Sequence, residues 1–572
     1  MTLPADIQSR AEKLISAFDK DGYAVNINSD VVYSEQFLGM RAFHKTAFIG
    51  KTGLRKKTFY LEGDPHTMGY FLGKLAENDV EQMCTTFNEN VIFEFINLQI
   101  EDEELKKILA GIINEIIYLL SQSIYKDIPQ NYIEEMNGIL DGCKSVNSKT
   151  KVTSHSLLIL NVGIDALLAY IYTGILPVKK RFALELKPEH FNIPIMCNAF
   201  SQYGKEPDSG KKYHYMGRDF MFPTAGVFQN LAAMIIRKPL QGNMTISVAA
   251  PGMIGAIAGL NKTGVGVGVD MSPASNCNTE RPGINSLLLT RIGIENGINL
   301  NDAAAAMIKT QRGVTWDYPL ADGSTDDACI LETGATTKNL NFIKTTDKWV
   351  VDTIKKAYPK FKDLLKNPSA PLIMGAMERN NKYKYPPVYQ TFNEPLIDEY
   401  RKRNPEYKYV YNTADFGDEG YINKTWTDKN CPGPYYFAPM RSIIPNGVMV
   451  TNHFVIPEMR LCAMNYWTAI IAGSNLNDIQ WRYDELHNKI ITSLKKGFMT
   501  YNEALAIIDF LAPNRNFPDY YNPIKEGVRK PWQEVIVHGA VSIMDLKAIS
   551  IESHYGYYGD EWIQLNLINY DV

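Results

Sequence analysis

The run GVGVGVDM, Gly264 to Met271, restricts the fold more than any other stretch of this chain. It alternates perfectly, and a period of two marks a β-strand. Glycine at every second position leaves one face of that strand bare, so another part of the molecule packs close against it. A phosphate-binding loop is the competing reading of a glycine-rich run. No GxGxxG opens a helix here and no Walker lysine follows, which disfavours it.

The rest of the chain sorts around this strand. LEGDPHTMGYFLGKLAENDVEQM has a turn at Gly63-Asp64-Pro65, then Met68, Leu72, Leu75 and Val80 at helical spacing. EELKKILAGIINEIIYLLSQSIY carries a broad apolar face, and YIEEMNGILDGCK is a third helix. The most membrane-like run, Leu157 to Val178, includes Asn161 and Asp165. A charge in lipid is costly, so this run reads as a core helix. Residues 1–56 read as an N-terminal extension and 57–196 as a mainly helical segment. Residues 197–572 are a strand-rich segment that begins at Cys197. Within it YHYMGRDFMF, MTISVAA, GVMVTNHFVI and VIVHGAVSIMDLKAISIES have strand character, whereas INLNDAAAAMI and DIQWRYDELHNKIITSL are helical. Residues around 370–440, rich in Tyr, Pro and Asn, read as a long insertion or lid. The expected class is α+β, with strands sandwiched between helical layers.

Charge excludes some functions. With 59 basic and 63 acidic residues the chain has no electrostatic basis for binding nucleic acid or an anionic membrane. Seven cysteines are scattered singly, with no CxxC pair and no zinc spacing. A disulfide framework is therefore not expected, nor is a metal or an organic cofactor. The odd count fits a reducing compartment, and MTLPADIQSRAEKLISAF contains no apolar signal core, so the expected location is cytoplasmic.

Cys197, in NIPIMCNAFSQYG, is the candidate nucleophile. A strand-initial cysteine matters most if the bond before it, from Met196, is cut. The thiol attacks the preceding carbonyl, an N-to-S acyl shift gives a thioester, and water releases a new amino terminus. An α-amine has a pKa of about 7.7–8.0 and can act as general base for its own thiol. The competing reading is a small buried hydrophobe.

The surroundings favour catalysis. LEGDPHTMGYFLGKL, YIEEMNGILDGC with LLILNVGIDAL, the cysteine of MCNAF, MGRDFMF, PGMIGAIAGLNKTGVGVGVDM, VTNHFVIPE and IQWRYDEL occur in that order. Together they resemble the penicillin acyltransferase-like family of N-terminal nucleophile (Ntn) hydrolases, related to the choloylglycine hydrolases. The resemblance implies an αββα four-layer sandwich, self-cleavage between Met196 and Cys197, and continued association of the two pieces. It implies attack on a linear amide of a small N-acylated molecule, with acyl transfer to an amine in some relatives. A homo-oligomer is compatible with it.

The resemblance also assigns roles. Cys197 is nucleophile and base. Asn452, in TNHF, matches an asparagine whose amide serves the oxyanion hole; a turn or edge asparagine is the alternative. Arg218 matches an arginine beside the thiol, with an exposed strand arginine as its alternative. Asp270 stands where relatives often carry asparagine. Its carboxylate contacts a cationic substrate, contacts the Cys197 amine, or merely bonds neighbouring backbone. Asp219 is expected to hold the Cys197 amine, because Met221, on the same strand face, cannot. A late arginine steadies the site in the family. Arg529 in KEGVRKPWQE is one candidate with irregular spacing; Arg482 aligns better but reads as structural.

Two other functions compete. A phospholipase B-like esterase would release fatty acid from phospholipid. A non-catalytic pseudo-enzyme would bind a ligand and fail to cleave itself.

Overall fold

The computed structural model describes residues 4–95, 103–173, 197–272, 274, 276–336, 374–383, 444–456, 459, 475–511 and 527–572. Its N-terminal part supplies β1 (Tyr23–Ala24), β2 (Val31–Tyr33), β3 (Leu38–Phe48) and β4 (Arg55–Gly63). From Cys197 onward come β5 (Asn198–Lys205), β6 (Lys212–Met221), β7 (Ala233–Pro239), β8 (Thr245–Ala249) and β9 (Ala258–Asn261). Next are β10 (Val265–Gly268), β11 (Asp270–Met271), β12 (Trp316–Asp322), β13 (Asp327–Thr333) and β14 (Ala376–Asn380). The last are β15 (Gly447–Val450), β16 (Ile536–Asp545), β17 (Ser550–Tyr557) and β18 (Ile563–Asn566).

Two sheets result. The larger runs β1-β3-β4-β7-β8-β9-β10-β12-β13-β14, with β2 on β3 and β11 on β12; the smaller runs β15-β5-β6-β16-β17-β18. Among the described residues the pairings are antiparallel except β4 with β7, where Lys57 lies opposite Ala233. Helix Pro65–Leu75 packs on β3 and β4, and helix Ser286–Asn296 on β9 and β10. Helix Asn475–Ser493 packs on β5 and β15, and helix Tyr501–Leu511 on β5, β6 and β16. The sheets meet where β12 crosses β5 and β9 lies on β16 and β17. This is the four-layer αββα arrangement.

The alternating glycine strand is in close contact with the layers on both of its sides. Val267 faces helix Ser286–Asn296, where a Cβ on Gly293 would stand 3.3 Å from it. The glycines face the smaller sheet. A Cβ on Gly266 would stand 2.9 Å from Leu546 and 3.2 Å from the Met216 sulfur, and one on Gly268 would stand 2.9 Å from Arg218 Cδ. The bare face is thus what admits the Arg218 side chain between the sheets.

Residues 4–56 are not an appendage, which corrects the reading of them as an extension. Helix Ala5–Lys20 buries Ile7, Ala11, Leu14 and Phe18, and β1 to β3 join the larger sheet. Strands of two and three residues are too short to display alternation, and β4 owes its neighbour to a strand far along the chain. The start of helix Pro65–Leu75 is as expected: Asp64 accepts from Thr67 N at 3.0 Å and Pro65 occupies the first turn. That helix crosses helix Gln130–Val146 backbone to backbone. Gly69 and Gly73 face Gly138 and Gly142, and a Cβ on Gly69 would stand 2.0 Å from Glu135 O.

The apolar run from Leu157 forms helix Ser154–Thr173, and its two polar residues are docking points. Asn161 donates to Gly252 O at 2.9 Å and accepts from Ile254 N at 2.9 Å. Asp165 accepts from Ser286 N at 2.6 Å, at the start of helix Ser286–Asn296. No helix among the described residues is long and apolar enough to cross a membrane. A buried ion network joins the same two parts of the chain. Glu135 pairs with Arg237 at 3.2 Å and Arg291 at 2.6 Å, while Tyr132 donates to Glu295 at 2.9 Å. Of the 370–440 insertion, residues 374–383 are described and include the edge strand β14; the rest lies outside the described residues.

Candidate active site

Cys197 immediately precedes β5, which lies between β15 and β6 in the smaller sheet. In that antiparallel pair Asn198 lies opposite Asp219, and Ala199 opposite Arg218. Opposite residues share a face and consecutive residues alternate. Cys197, Ala199, Met216 and Phe220 belong to the main apolar core shared with the larger sheet, whereas Phe200, Met221 and Val541 belong to the cluster under the outer helices. The thiol and Arg218 therefore point between the sheets, and Asn198 and Asp219 point the other way.

The Cys197 peptide N–H donates to Asn452 Oδ1 at 2.8 Å. Asn452 Nδ2 donates to Met271 O at 2.7 Å, and Arg482 Nη2 donates to Asn452 Oδ1 at 3.0 Å. Two donors meet one end of this amide and a carbonyl meets the other, so its orientation is fixed. Arg482 Nη1 also donates to Cys197 O at 2.6 Å and to Asn198 Oδ1 at 2.7 Å. One guanidinium from helix Asn475–Ser493 thereby holds the strand entry and the asparagine together.

Asp219 is part of the same frame. Its Oδ1 accepts a short bond from Asn198 N, and its Oδ2 accepts from Asn198 Nδ2 at 2.8 Å. Both oxygens are committed to Asn198, and the Cys197 N–H goes to Asn452. The intact chain holds a peptide nitrogen there rather than an amine.

The face that carries the thiol is different. Arg218 and Asp270 are completely buried, with Nη1 3.1 Å from Oδ1. Arg218 Nε and Nη2 and both Asp270 oxygens lack an aligned hydrogen-bond partner. Two more carboxylates lie on the face that carries Asp270. Asp317 is directly opposite Asp270, and Glu332 directly opposite Asp317. Glu332 is held by Arg379 at 3.3 Å and by Val455 N at 3.0 Å; Asp317 accepts a short bond from Ser272.

Burial dominates the titration of these groups. It raises Asp219 to about 7 against the pull of Arg218, and Asp270 to about 6 against Arg218 and Arg482. Asp317 is driven well above the usual carboxylate range by burial and then by Glu332, against a weaker pull from Arg379. Burial pushes the Cys84, Cys143 and Cys277 thiols up to about 12. Burial raises Cys197 as well; there Arg218 lowers it, and Asp270 and then Asp219 raise it. Its thiol is 3.7 Å from Met221 O. Among the described residues no cluster of three His, Cys, Asp or Glu is arranged to hold a metal ion.

No family model matches the chain. It is 24% identical over 522 residues to an uncharacterized protein of Archaeoglobus fulgidus, covering 91% of this chain and 67% of that one. Among solved structures it is similar to two variants of conjugated bile acid hydrolase from Clostridium perfringens. Identity is 11% in each case, coverage 64% of this chain and 92% of theirs, and the TM-scores are 0.30 and 0.29. At that overlap neither structure fixes an activity for this chain.

The structure gathers Cys197, Arg218, Asp219, Asp270, Asn452 and Arg482 into one buried cluster. Arg529 is half-buried just before the turn Trp532–Glu534 and takes no part in the bonds described above. Met196 lies outside the described residues. Sequence reading undervalued Arg482 and missed Asn198. Arg482 precedes the buried Leu486 and Ile490 by four and eight positions, so a charge falls on an apolar stripe. That was a usable signal, as was an asparagine opening a buried strand.

Proposed function

We propose that the chain is a self-processing cysteine amidohydrolase of the Ntn type, acting on a linear amide of an N-acylated small molecule. The observation that carries this reading is the setting of Cys197. A cysteine stands at the entry to a central strand, its nitrogen on Asn452, its carbonyl on Arg482, and Arg218 beside its thiol.

In the first reaction the thiol adds to the Met196 carbonyl carbon. The C–N bond breaks, the thiol proton passes to the departing Cys197 nitrogen, and a thioester remains. Water then hydrolyses the thioester, leaving the Met196 carboxylate and restoring the thiol beside a free α-amine. In turnover that amine takes the thiol proton as the sulfur attacks the substrate carbonyl, and returns it to the leaving amine. Asn452 Nδ2 spends one hydrogen on Met271 O and carries a second for the oxyanion. Such a donor contributes about 3–4 kcal/mol to the transition state. With an amine in place of water as acceptor, the same site transfers the acyl group.

The test is denaturing mass spectrometry of purified protein. The expected outcome is two co-purifying pieces, about a third and two thirds of the mass, with the larger beginning at Cys197. Cys197→Ala should stay intact and inactive. Wild-type protein that turns over N-acyl substrates as an uncut chain would refute self-processing.

A further inference from the structure

Cleavage at Cys197 changes what its nitrogen needs. A peptide nitrogen carries one hydrogen and no charge; the ammonium that replaces it carries three hydrogens and a positive charge. Asn452 Oδ1 accepts one hydrogen already. The remaining hydrogens and the charge need acceptors in a place without solvent, because Cys197 is 1% exposed.

Resting on the reading above, we infer that Asp270 receives the α-ammonium of processed Cys197 and holds it for catalysis. Asp219 is poorly placed for this. Both its oxygens are bonded to Asn198, and its side chain lies on the face opposite the thiol. Asp270 meets each requirement. It is fully buried and neither oxygen has an aligned donor. Asn452 connects Cys197 N to the carbonyl of Met271, the next residue after Asp270.

Charge gives a second reason. Before cleavage two arginines, Arg218 and Arg482, stand against two carboxylates, Asp219 and Asp270. The charged and titratable groups that Asp270 feels are Arg218 on the same side of β6, Asp219 and Arg482 through the strand from its outer face, the thiol, and Asp317 from β12 with Glu332 behind it. Glu332 already has Arg379. Cleavage adds a cation, and Asp270 with Asp317 beside it offers carboxylate oxygens that lack an aligned donor.

The experiment measures the amine itself. With the thiol capped by methyl methanethiosulfonate, cyanate labelling of the α-amine is followed across pH by mass spectrometry of the peptide beginning at Cys197. Asp270→Asn should lower the amine pKa by about 1 or more, Asp270→Glu should restore it, and Asp219→Asn should move it less. An unchanged amine in Asp270→Asn, or equal shifts in the two asparagine variants, overturns the assignment. So does a raised KM for cationic substrates with the amine unmoved, which would place Asp270 on substrate instead. If Asp270→Asn does not cleave itself, a crystal structure of cleaved wild type decides: Cys197 N bonded to Asp270 supports the assignment, and Cys197 N bonded to Asp219 alone overturns it. Absence of any amine in wild type would refute the processing reading itself, a separate result.

Discussion

The two faces of the smaller sheet at the entry to β5 are built on opposite terms. On the outer face each oxygen of Asp219 and both ends of the Asn198 amide are bonded, and Arg482 joins them to Asn452. On the inner face Arg218 and Asp270 stand close with four polar atoms lacking aligned partners. Both faces are fully buried, so solvent does not explain the difference. A saturated network fixes a shape; an unsaturated one costs stability and persists where a further charge or ligand is to be received. The outer face is then a frame, and the inner face is where the proposed chemistry would be sited.

Substitutions can break that contrast, and the cleanest background is Cys197→Ala, which remains one chain. Arg482→Met leaves the Cys197 carbonyl, Asn198 Oδ1 and Asn452 Oδ1 short of a donor. We expect a loss of about 3–5 kcal/mol by urea unfolding, the usual result of removing one partner from a buried charged network. A loss below about 1 kcal/mol would show that the outer face is not a frame.

Asp270→Asn should act on pH dependence instead. The unfolded carboxyl ionises near 3.8, but burial raises the folded one to about 6. Below the lower value both states are neutral and stability is not penalised. As pH rises through the interval the unfolded chain ionises first and stability falls, with the loss complete above about 6. The wild-type side chain should therefore add a decline on the order of 3 kcal/mol between pH 4 and 7 that Asp270→Asn lacks. Parallel stability curves for the two proteins would remove the inner face's distinction.

The smallest effect belongs to Met221→Leu. The Met221 side chain shares the face of Asp219 but packs in the apolar outer cluster, and only its backbone carbonyl lies near the thiol. A volume-conserving change there should cost less than about 1.5 kcal/mol and leave cleavage intact. Slowed cleavage in this variant would bring Met221 into the site and sharpen the boundary between the faces.

Legibility in the sequence followed range. GVGVGVDM announced a strand with a bare face because period two is a local property, and the glycines do admit Met216 and Arg218. Asp64 and Pro65 marked a helix start for the same reason. Asn161 and Asp165 excluded a membrane helix, although their partners at Gly252, Ile254 and Ser286 could not be read. Membership of β1 to β3 in the larger sheet was hidden, because it depends on β4 meeting β7. Arg482 looked structural because its three acceptors come from Cys197, Asn198 and Asn452, none of them near it in sequence. Asp219 and Asp270 were both visible as carboxylates; that Asp219 faces away from the thiol required the register of β5 on β6, and that Asp270 meets Arg218 required the packing of one sheet on the other.

The bond from Cys197 N to Asn452 spans 255 residues, and the one from Arg482 to the Cys197 carbonyl spans 285. A ribosome adding roughly 5–20 residues per second makes Asn452 on the order of 10–50 s after Cys197. Through that interval the nascent cysteine has neither its nitrogen's acceptor nor its carbonyl's clamp. The proposed reaction of Cys197 would thus be timed by synthesis: a chain truncated before Arg482 carries the cysteine but not its setting, and should stay chemically silent.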